Sequence, residues 1–188
     1  MLAGDLAPGK ITVNSIIPED DAVQKFSTYT FNFETEHTLY KDVCGIIIEM
    51  PPKVTLPADG TVINVKPMGD TAAFFVADKG TVSEGKFITI ENVFGSENPP
   101  PGPLTIEIEI EGFKNPRSAA PAGIVSISTT FEGDTVDVGK SELFTPTVGV
   151  ITGQPITVND PVTNGITSNY GLVMVTQSIV PAGGIIEI

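Results

Sequence analysis

The chain has 188 residues, 40% of them hydrophobic, with 23 acidic against 10 basic side chains and a formal charge of −13. That length admits one β-domain with a remainder or two small domains, and the apolar content supports a packed core. The acidic balance excludes a nucleic-acid binder, which must replace counterions around phosphates. One histidine, one cysteine and no tryptophan exclude a His-rich zinc site, a CxxC pair and an internal disulfide framework.

The amino terminus, MLAGDLAPGK, has neither the basic region nor the apolar stretch of a signal peptide. Apolar runs such as Gly45-Ile46-Ile47-Ile48 fall far short of the roughly 20 residues that span a bilayer. No membrane insertion is expected within this segment. The sequence therefore reads as soluble and not secreted, or as a mature product or excised segment whose signal and anchor lie elsewhere.

Nearly every periodic segment has the two-residue period of a strand. In chain order these are Ile11–Ile16, then Phe26–Phe33, where Tyr29, Phe31 and Phe33 alternate with polar residues, then Cys44–Met50, Thr61–Lys66, Ala72–Ala77 and Lys86–Val93. Cys44 lies in an apolar run as a small buried hydrophobe. Asn98–Pro103 (NPPPGP) lacks most backbone donors and reads as an extended crossover between sheets. Leu104–Glu111 is the clearest strand: Leu104, Ile106, Ile108 and Ile110 must share one face, and Thr105, Glu107, Glu109 and Glu111 the other. One wet face means an antiparallel sheet. A turn of helix is expected near Pro116–Ala120, followed by strands at Gly123–Phe131 and Leu172–Thr176. Many short strands with frequent turn signals predict an all-β, immunoglobulin-like antiparallel β-sandwich.

Comparing the two ends reveals an internal repeat. Ile11-Thr12-Val13-Asn14 recurs as Ile156-Thr157-Val158-Asn159, the Tyr29–Phe33 strand as Tyr170–Met174, and Gly45–Met50 as Gly184–Ile188, at an offset of about 140 residues. The expected organisation is one sandwich over residues 1–155 and the first strands of a second, incomplete repeat over 156–188, against a chance match of low-information strand sequences. A hairpin of that size cannot bury enough surface alone. Its apolar positions Ile156, Val158, Tyr170, Leu172, Met174, Ile185, Ile186 and Ile188 are the candidate assembly residues, which a neighbouring surface or further copies of the repeat would cover.

Several stretches carry a resemblance: Tyr-x-Phe-x-Phe, the Gly-Ile-Ile-Ile-Glu strand ending in Pro51-Pro52, Gly112–Ser118 (GFKNPRS) followed by Ser126–Thr129, and Ile179–Ile185 (IVPAGGI). Together they are similar to the immunoglobulin-like modules of giant repetitive cell-surface proteins of ciliates and related protists. The resemblance covers most of the chain in scattered pieces, of which GFKNPRS is the most specific. It implies a structural role in a coat or fibre at the cell surface. That family's signal, membrane anchor and cysteine-rich flanking modules have no counterpart in this sequence.

The remaining chemistry is sparse. Asp20 and Asp21, in Pro18-Glu19-Asp20-Asp21, and Asp134 and Asp137, in Glu132–Asp137, fall in expected loops. No cofactor is expected: clustered carboxylates there would suit calcium as an alternative, but no EF-hand spacing is present and aspartate is an ordinary turn former. Glu107, Glu109 and Glu111 all point into the same solvent, which suits a soluble sheet face and not paired-carboxylate hydrolysis. His37 reads as an exposed loop histidine, and no Gly-x-Ser-x-Gly elbow accompanies it. Arg117, the lone guanidinium, sits in Asn115-Pro116-Arg117-Ser118; Asn115 and Arg117 are candidate structural residues of a sandwich corner, with a simple surface arginine as the alternative. The expected function is a non-enzymatic structural module of an extracellular or cell-surface filament or coat. It would be joined to its own kind by end-to-end packing or strand addition. An adhesin or glycan-binding sandwich and a virion or appendage subunit are the alternatives.

Overall fold

The alternating segments become strands of two facing layers in a computed structural model that describes residues 7–41, 44–95, 97–158, 170–177, 180 and 185–186. The strands of the first part are β1 (Gly9–Lys10), β2 (Thr12–Pro18), β3 (Phe26–Glu34), β4 (Cys44–Glu49), β5 (Val62–Met68), β6 (Lys79–Ser83), β7 (Phe87–Ile90), β8 (Thr105–Lys114), β9 (Ile124–Phe131) and β10 (Asp134–Glu142). They hydrogen-bond in the order β1-β10-β9-β4-β7-β6-β5-β8-β3-β2, antiparallel except for β1, which runs parallel to β10. Strand β5 changes layers midway: Val62–Asn64 pair with β6, whereas Val65–Met68 pair with β8. Its first half closes the larger layer and its second half opens the smaller one. The chain makes a similar crossing at Ile11, which separates β1 from β2 and whose N–H still bonds to Val138 of β10 (2.9 Å). The architecture is the all-β, immunoglobulin-like antiparallel sandwich expected from the pattern.

The core lies between the layers. Tyr29, Phe31 and Phe33 of β3 and Ile106, Ile108 and Ile110 of β8 face Ile46, Ile48, Ile88, Ile90, Val125 and Ile127 of the larger layer, all fully buried. Each such side chain contributes about 1.5–3 kcal/mol by leaving water. The proline-rich Asn98–Pro103 connects β7 of one layer to β8 of the other, as its missing donors require.

Four local expectations are corrected. Ala72–Phe74 is a turn of 3-10 helix and not part of a strand. A short apolar run does not distinguish the two, and Gly69 (φ +65°) has already turned the chain just before it. Pro116–Ala120 forms bends without helix. Strand β6 is present where none was expected. So is β10, which replaces the loop foreseen around Asp134 and Asp137. Both missed strands are joined to their neighbours by Glu-Gly turns, Glu84-Gly85 and Glu132-Gly133, with positive φ at all four residues. Hairpin turns of this kind are announced by Asn-Gly or Asp-Gly, and glutamate conceals the signal.

A glutamate held at positive φ is strained relative to asparagine, which visits that region more readily. E84N and E132N should each stabilise the fold by about 0.5–1 kcal/mol. A chemical denaturation midpoint that fails to rise in either variant would contradict the assigned turn geometry.

Candidate functional site: a corner, a clasp and an apolar tail

Asn115 follows the end of β8 and is 1% exposed, with its side-chain amide and its N–H engaged. Its Nδ2 donates to the main-chain oxygens of Asp20 (2.6 Å) and Ala22 (2.8 Å). Its Oδ1 accepts from the Tyr29 hydroxyl (2.7 Å), and its N–H donates to Lys25 O (2.8 Å). Burial pushes the Tyr29 phenol far above its ordinary range, and the ring stacks on Phe113 at 4.4 Å between centroids. One side chain thus fastens the β2–β3 turn to the core. Arg117 lies exposed two residues on, with no hydrogen bond or ion pair among the described residues.

Two of the candidate calcium ligands belong to the same turn. Asp20 Oδ1 accepts from the Ala22 N–H (2.9 Å), and Asp21 Oδ1 accepts from the Thr147 hydroxyl (2.8 Å). Asp134 and Asp137 lie on β10, and Asp137 is buried at 0% exposure and faces inward. Among the described residues no three acidic, histidine or cysteine side chains gather as a metal site. The sequence pattern misleads here because β10 begins within the presumed loop.

The Asp137 carboxylate instead forms a clasp with His37. Protonated Nδ1 of His37 donates to Asp137 Oδ1 (2.6 Å), and the His37 N–H donates to Oδ2 (3.2 Å). Thr129 Oγ1 adds a longer contact to Oδ2 (3.5 Å) and accepts from the Asp137 N–H (3.2 Å). The imidazole itself is half exposed. Gly9 of β1 rests against this pair so closely that an added Cβ would overlap both side chains. At the next residue, the Lys10 N–H donates to Glu36 Oε2 (2.6 Å). Gly139 of β10 is packed equally tightly on Ile11, which is buried. The chain's only histidine therefore fastens its amino-terminal strand.

On the outer face of the smaller layer the glutamates are paired across strands. Glu107 accepts from Asn32 (2.9 Å), which in turn accepts from Asn14 (2.8 Å). Glu109 meets Lys66 (2.8 Å), and Glu111 accepts from Asn64 (3.0 Å), which is also held by Lys79 (2.6 Å). The Glu109 carboxylate raises the Lys66 ammonium above its usual range, first through the hydrogen bond and then through its charge.

The C-terminal part behaves differently. Strands β11 (Ile151–Gly153) and β14 (Met174–Thr176) pair antiparallel, as do β12 (Thr157–Val158) and β13 (Tyr170–Gly171). Gln177 closes the end of this ladder, its N–H donating to Val150 O (3.2 Å) and its Oε1 accepting from the Val150 N–H (3.0 Å). Pairing within this segment thus begins at Val150, ahead of the residues where the repeat was recognised. Among the described residues, none of these strands pairs with β1–β10. Of the candidate assembly residues, Ile156, Tyr170, Leu172, Ile185 and Ile186 are exposed and Met174 is half-buried. Val158 pairs with Tyr170, and Ile188 lies outside the described residues. Sequence reasoning missed Val148, Val150, Ile151, Val173 and Val175, all more than half exposed, although the unbroken apolar character of Val148–Ile151 was the available signal.

At the root of the tail lies an open hollow of about 850 Å³, lined by Ile16, Ile17, Pro18, Glu19, Asp20, Asp21, Phe26 and Phe144. Ile17 and Phe26 are 58% and 73% exposed. Thr147 is tied to the lining residue Asp21, its N–H donating to Asp21 O (3.0 Å), and its O accepts from the Val23 N–H (3.1 Å).

No protein-family model and no curated protein matches the sequence. Among solved structures the chain is similar to BslA, a bacterial hydrophobin, at 8% identity over 72% of this chain and 96% of that one, with a TM-score of 0.38. It is also similar to a non-cellulosomal cohesin from the hyperthermophilic archaeon Archaeoglobus fulgidus, at 12% identity over 71% and 91%, with a TM-score of 0.33. Neither likeness bears on function.

Two predictions follow from the corner and the clasp. Asn115→Ala leaves the Tyr29 hydroxyl and two carbonyls of the turn unpaired and should cost about 2–3 kcal/mol in equilibrium unfolding. A loss below 1 kcal/mol would mean that water replaces the amide (about 1 kcal/mol is one ordinary hydrogen bond). The His37 pKa is raised, first by its hydrogen bond to Asp137, against an opposing desolvation, with help from the charges of Asp137 and Glu36. A raised folded pKa means the clasp contributes fully below the ordinary histidine value and fades as pH rises through the folded one. The stability difference between wild type and His37→Gln should therefore shrink from acid to alkaline pH. A difference independent of pH would remove the protonated imidazole from the account.

Proposed function

We propose that the chain is a non-enzymatic structural module of an extracellular or cell-surface coat or filament, joined to its neighbours through its apolar C-terminal segment. The observation that carries this reading is the distribution of exposed apolar side chains. Among the described residues, eleven of the nineteen large hydrophobics left exposed fall between Val148 and Ile186. Short two-stranded ladders do not hold such surface in water by themselves, and a contiguous apolar surface is the usual mark of a partner site. Around β8 the outer face of the smaller layer is polar and internally paired, with Ile17 and Phe26 as exposed apolar residues at one end of it.

Of the two modes of joining, end-to-end packing is the better supported. Strand addition needs a long open edge. The β1 edge is two residues long, and the β2 edge is interrupted by a register shift between Val13 and Ser15 and ends in Pro18. The resemblance to surface-repeat modules agrees with the same assignment.

A chain ending at Gly149 keeps Leu143, Phe144 and Thr147 and all ten sandwich strands. It should unfold with the cooperativity of the full chain yet lose concentration-dependent association in sedimentation velocity. Undiminished association of the shortened chain would overturn the joining role.

A further inference from the structure

Strand β1 has little main-chain pairing of its own. Its two residues pair with β10 at Gly9–Asp137 and Lys10–Val138, and the Ile11 N–H adds one bond to Val138 O (2.9 Å). Pairing of that length does not hold a strand in water without side-chain support. Three contacts supply it. Gly9 lies on the His37–Asp137 pair with no room for a Cβ, the Lys10 N–H donates to Glu36 Oε2 (2.6 Å), and Ile11 is buried against Gly139. Two of these depend on where the segment carrying Glu36 and His37 sits, and Asp137 fixes that segment.

The two partners of the clasp differ in access to water: the Asp137 carboxylate is fully buried, and the imidazole is half exposed. Among the described residues, the imidazole faces Asp137 of β10 and its own neighbour Glu36, and the exposed Lys10 follows Gly9 on β1. Asp134 of β10, Tyr40 and Cys44 of β4 line the same hollow as His37, and burial pushes the Cys44 thiol up, which keeps it neutral. When His37 loses its proton, the buried carboxylate keeps hydrogen bonds but loses its counter-charge. Of residues 7–11, only Ile11 belongs to the core, whose facing side chains come mainly from β3, β4, β7, β8 and β9. The strand can therefore leave without dismantling the sandwich.

We propose that β1 is a pH-operated strap: it lies closed on β10 while His37 is protonated and lifts locally once that proton is lost, baring the β10 main chain at Val138 while the sandwich stays folded. The sign follows from linkage. The closed form binds the proton more tightly than the open form, where the ring returns to the ordinary histidine value. Closure is strongest below that ordinary value and weakens as pH rises through the closed-state one. The opening constant grows about tenfold for each pH unit separating the two values.

Amide hydrogen exchange of the full chain, followed by NMR between about pH 5.5 and 9 and corrected for the intrinsic rise of exchange with pH, tests the strap. Ile11 reports β1, while Ile48 and Ile127, paired in the middle of the larger layer, report the whole fold. The chain has one histidine, so its ring resonances give the closed-state pKa in the same sample. Ile11 should exchange at least about tenfold faster than Ile48 and Ile127 throughout, and its protection should fall across the His37 titration by about tenfold per unit of raised pKa. His37→Gln should abolish that pH dependence. Gly9→Ala, which drives a methyl into the clasp, should lower Ile11 protection even at the acid end while Ile48 and Ile127 stay protected. Ile11 protection that is constant across the titration, that follows Ile48 and Ile127 at every pH, or that is unchanged in Gly9→Ala would overturn the strap.

Discussion

A strand in a two-layer sandwich hides one face, and the other must be made acceptable to water. Strands β3 and β8 show that constraint most plainly. Along β8 the inward side chains are isoleucines, while each outward glutamate finds an amide or ammonium on β3 or β5. Such exposed pairs are worth little individually in energy. Their value is that the outer face stays hydrated and unattractive to a second sheet. The C-terminal strands break the constraint. Valines, isoleucines and a tyrosine project from ladders two or three residues long, with no second layer among the described residues to cover them.

The single inward-facing carboxylate shows what a departure requires. Asp137 occupies an apolar parity position of β10, beside a strand whose neighbours Val125 and Ile127 are buried. A buried carboxylate without partners would cost several kcal/mol. Here two groups of His37 and the hydroxyl of Thr129 converge on it. Glycine at position 9 then lets the amino-terminal strand lie directly over the pair. The polar residue at a core position is matched to one histidine, one threonine and one glycine from three separate segments, which fixes the register of a strand only two residues long.

The strands with strict alternation, 26–33 and 104–111, were legible because side-chain parity alone decides their faces. The corner was half legible: Asn115 stands out in its motif, but no spacing rule shows that its amide would reach back to Asp20 and Ala22, some 95 residues away in sequence. The clasp was not legible. His37 and Asp137 lie 100 residues apart, and each looks like a loop residue until β10 is recognised. That strand was hidden by Glu132-Gly133, in which glutamate adopts a backbone conformation that sequence statistics reserve for asparagine, aspartate and glycine. The same substitution at Glu84-Gly85 hid β6, so one unusual turn residue accounts for both missing strands.

Assembly through a tail and assembly through a sheet edge make different demands on the fold. Edge pairing gains its affinity from main-chain hydrogen bonds and requires a flat, accessible strand. This sandwich shortens one edge to two residues and interrupts the other with a register shift and a proline, the means by which sheets resist unplanned pairing. The edges are guarded in this way while most of the large apolar side chains left exposed among the described residues lie on a separate segment. The segment leaves the sandwich at Thr147, which main-chain hydrogen bonds tie to Asp21 and Val23 of the turn that precedes the exposed Phe26.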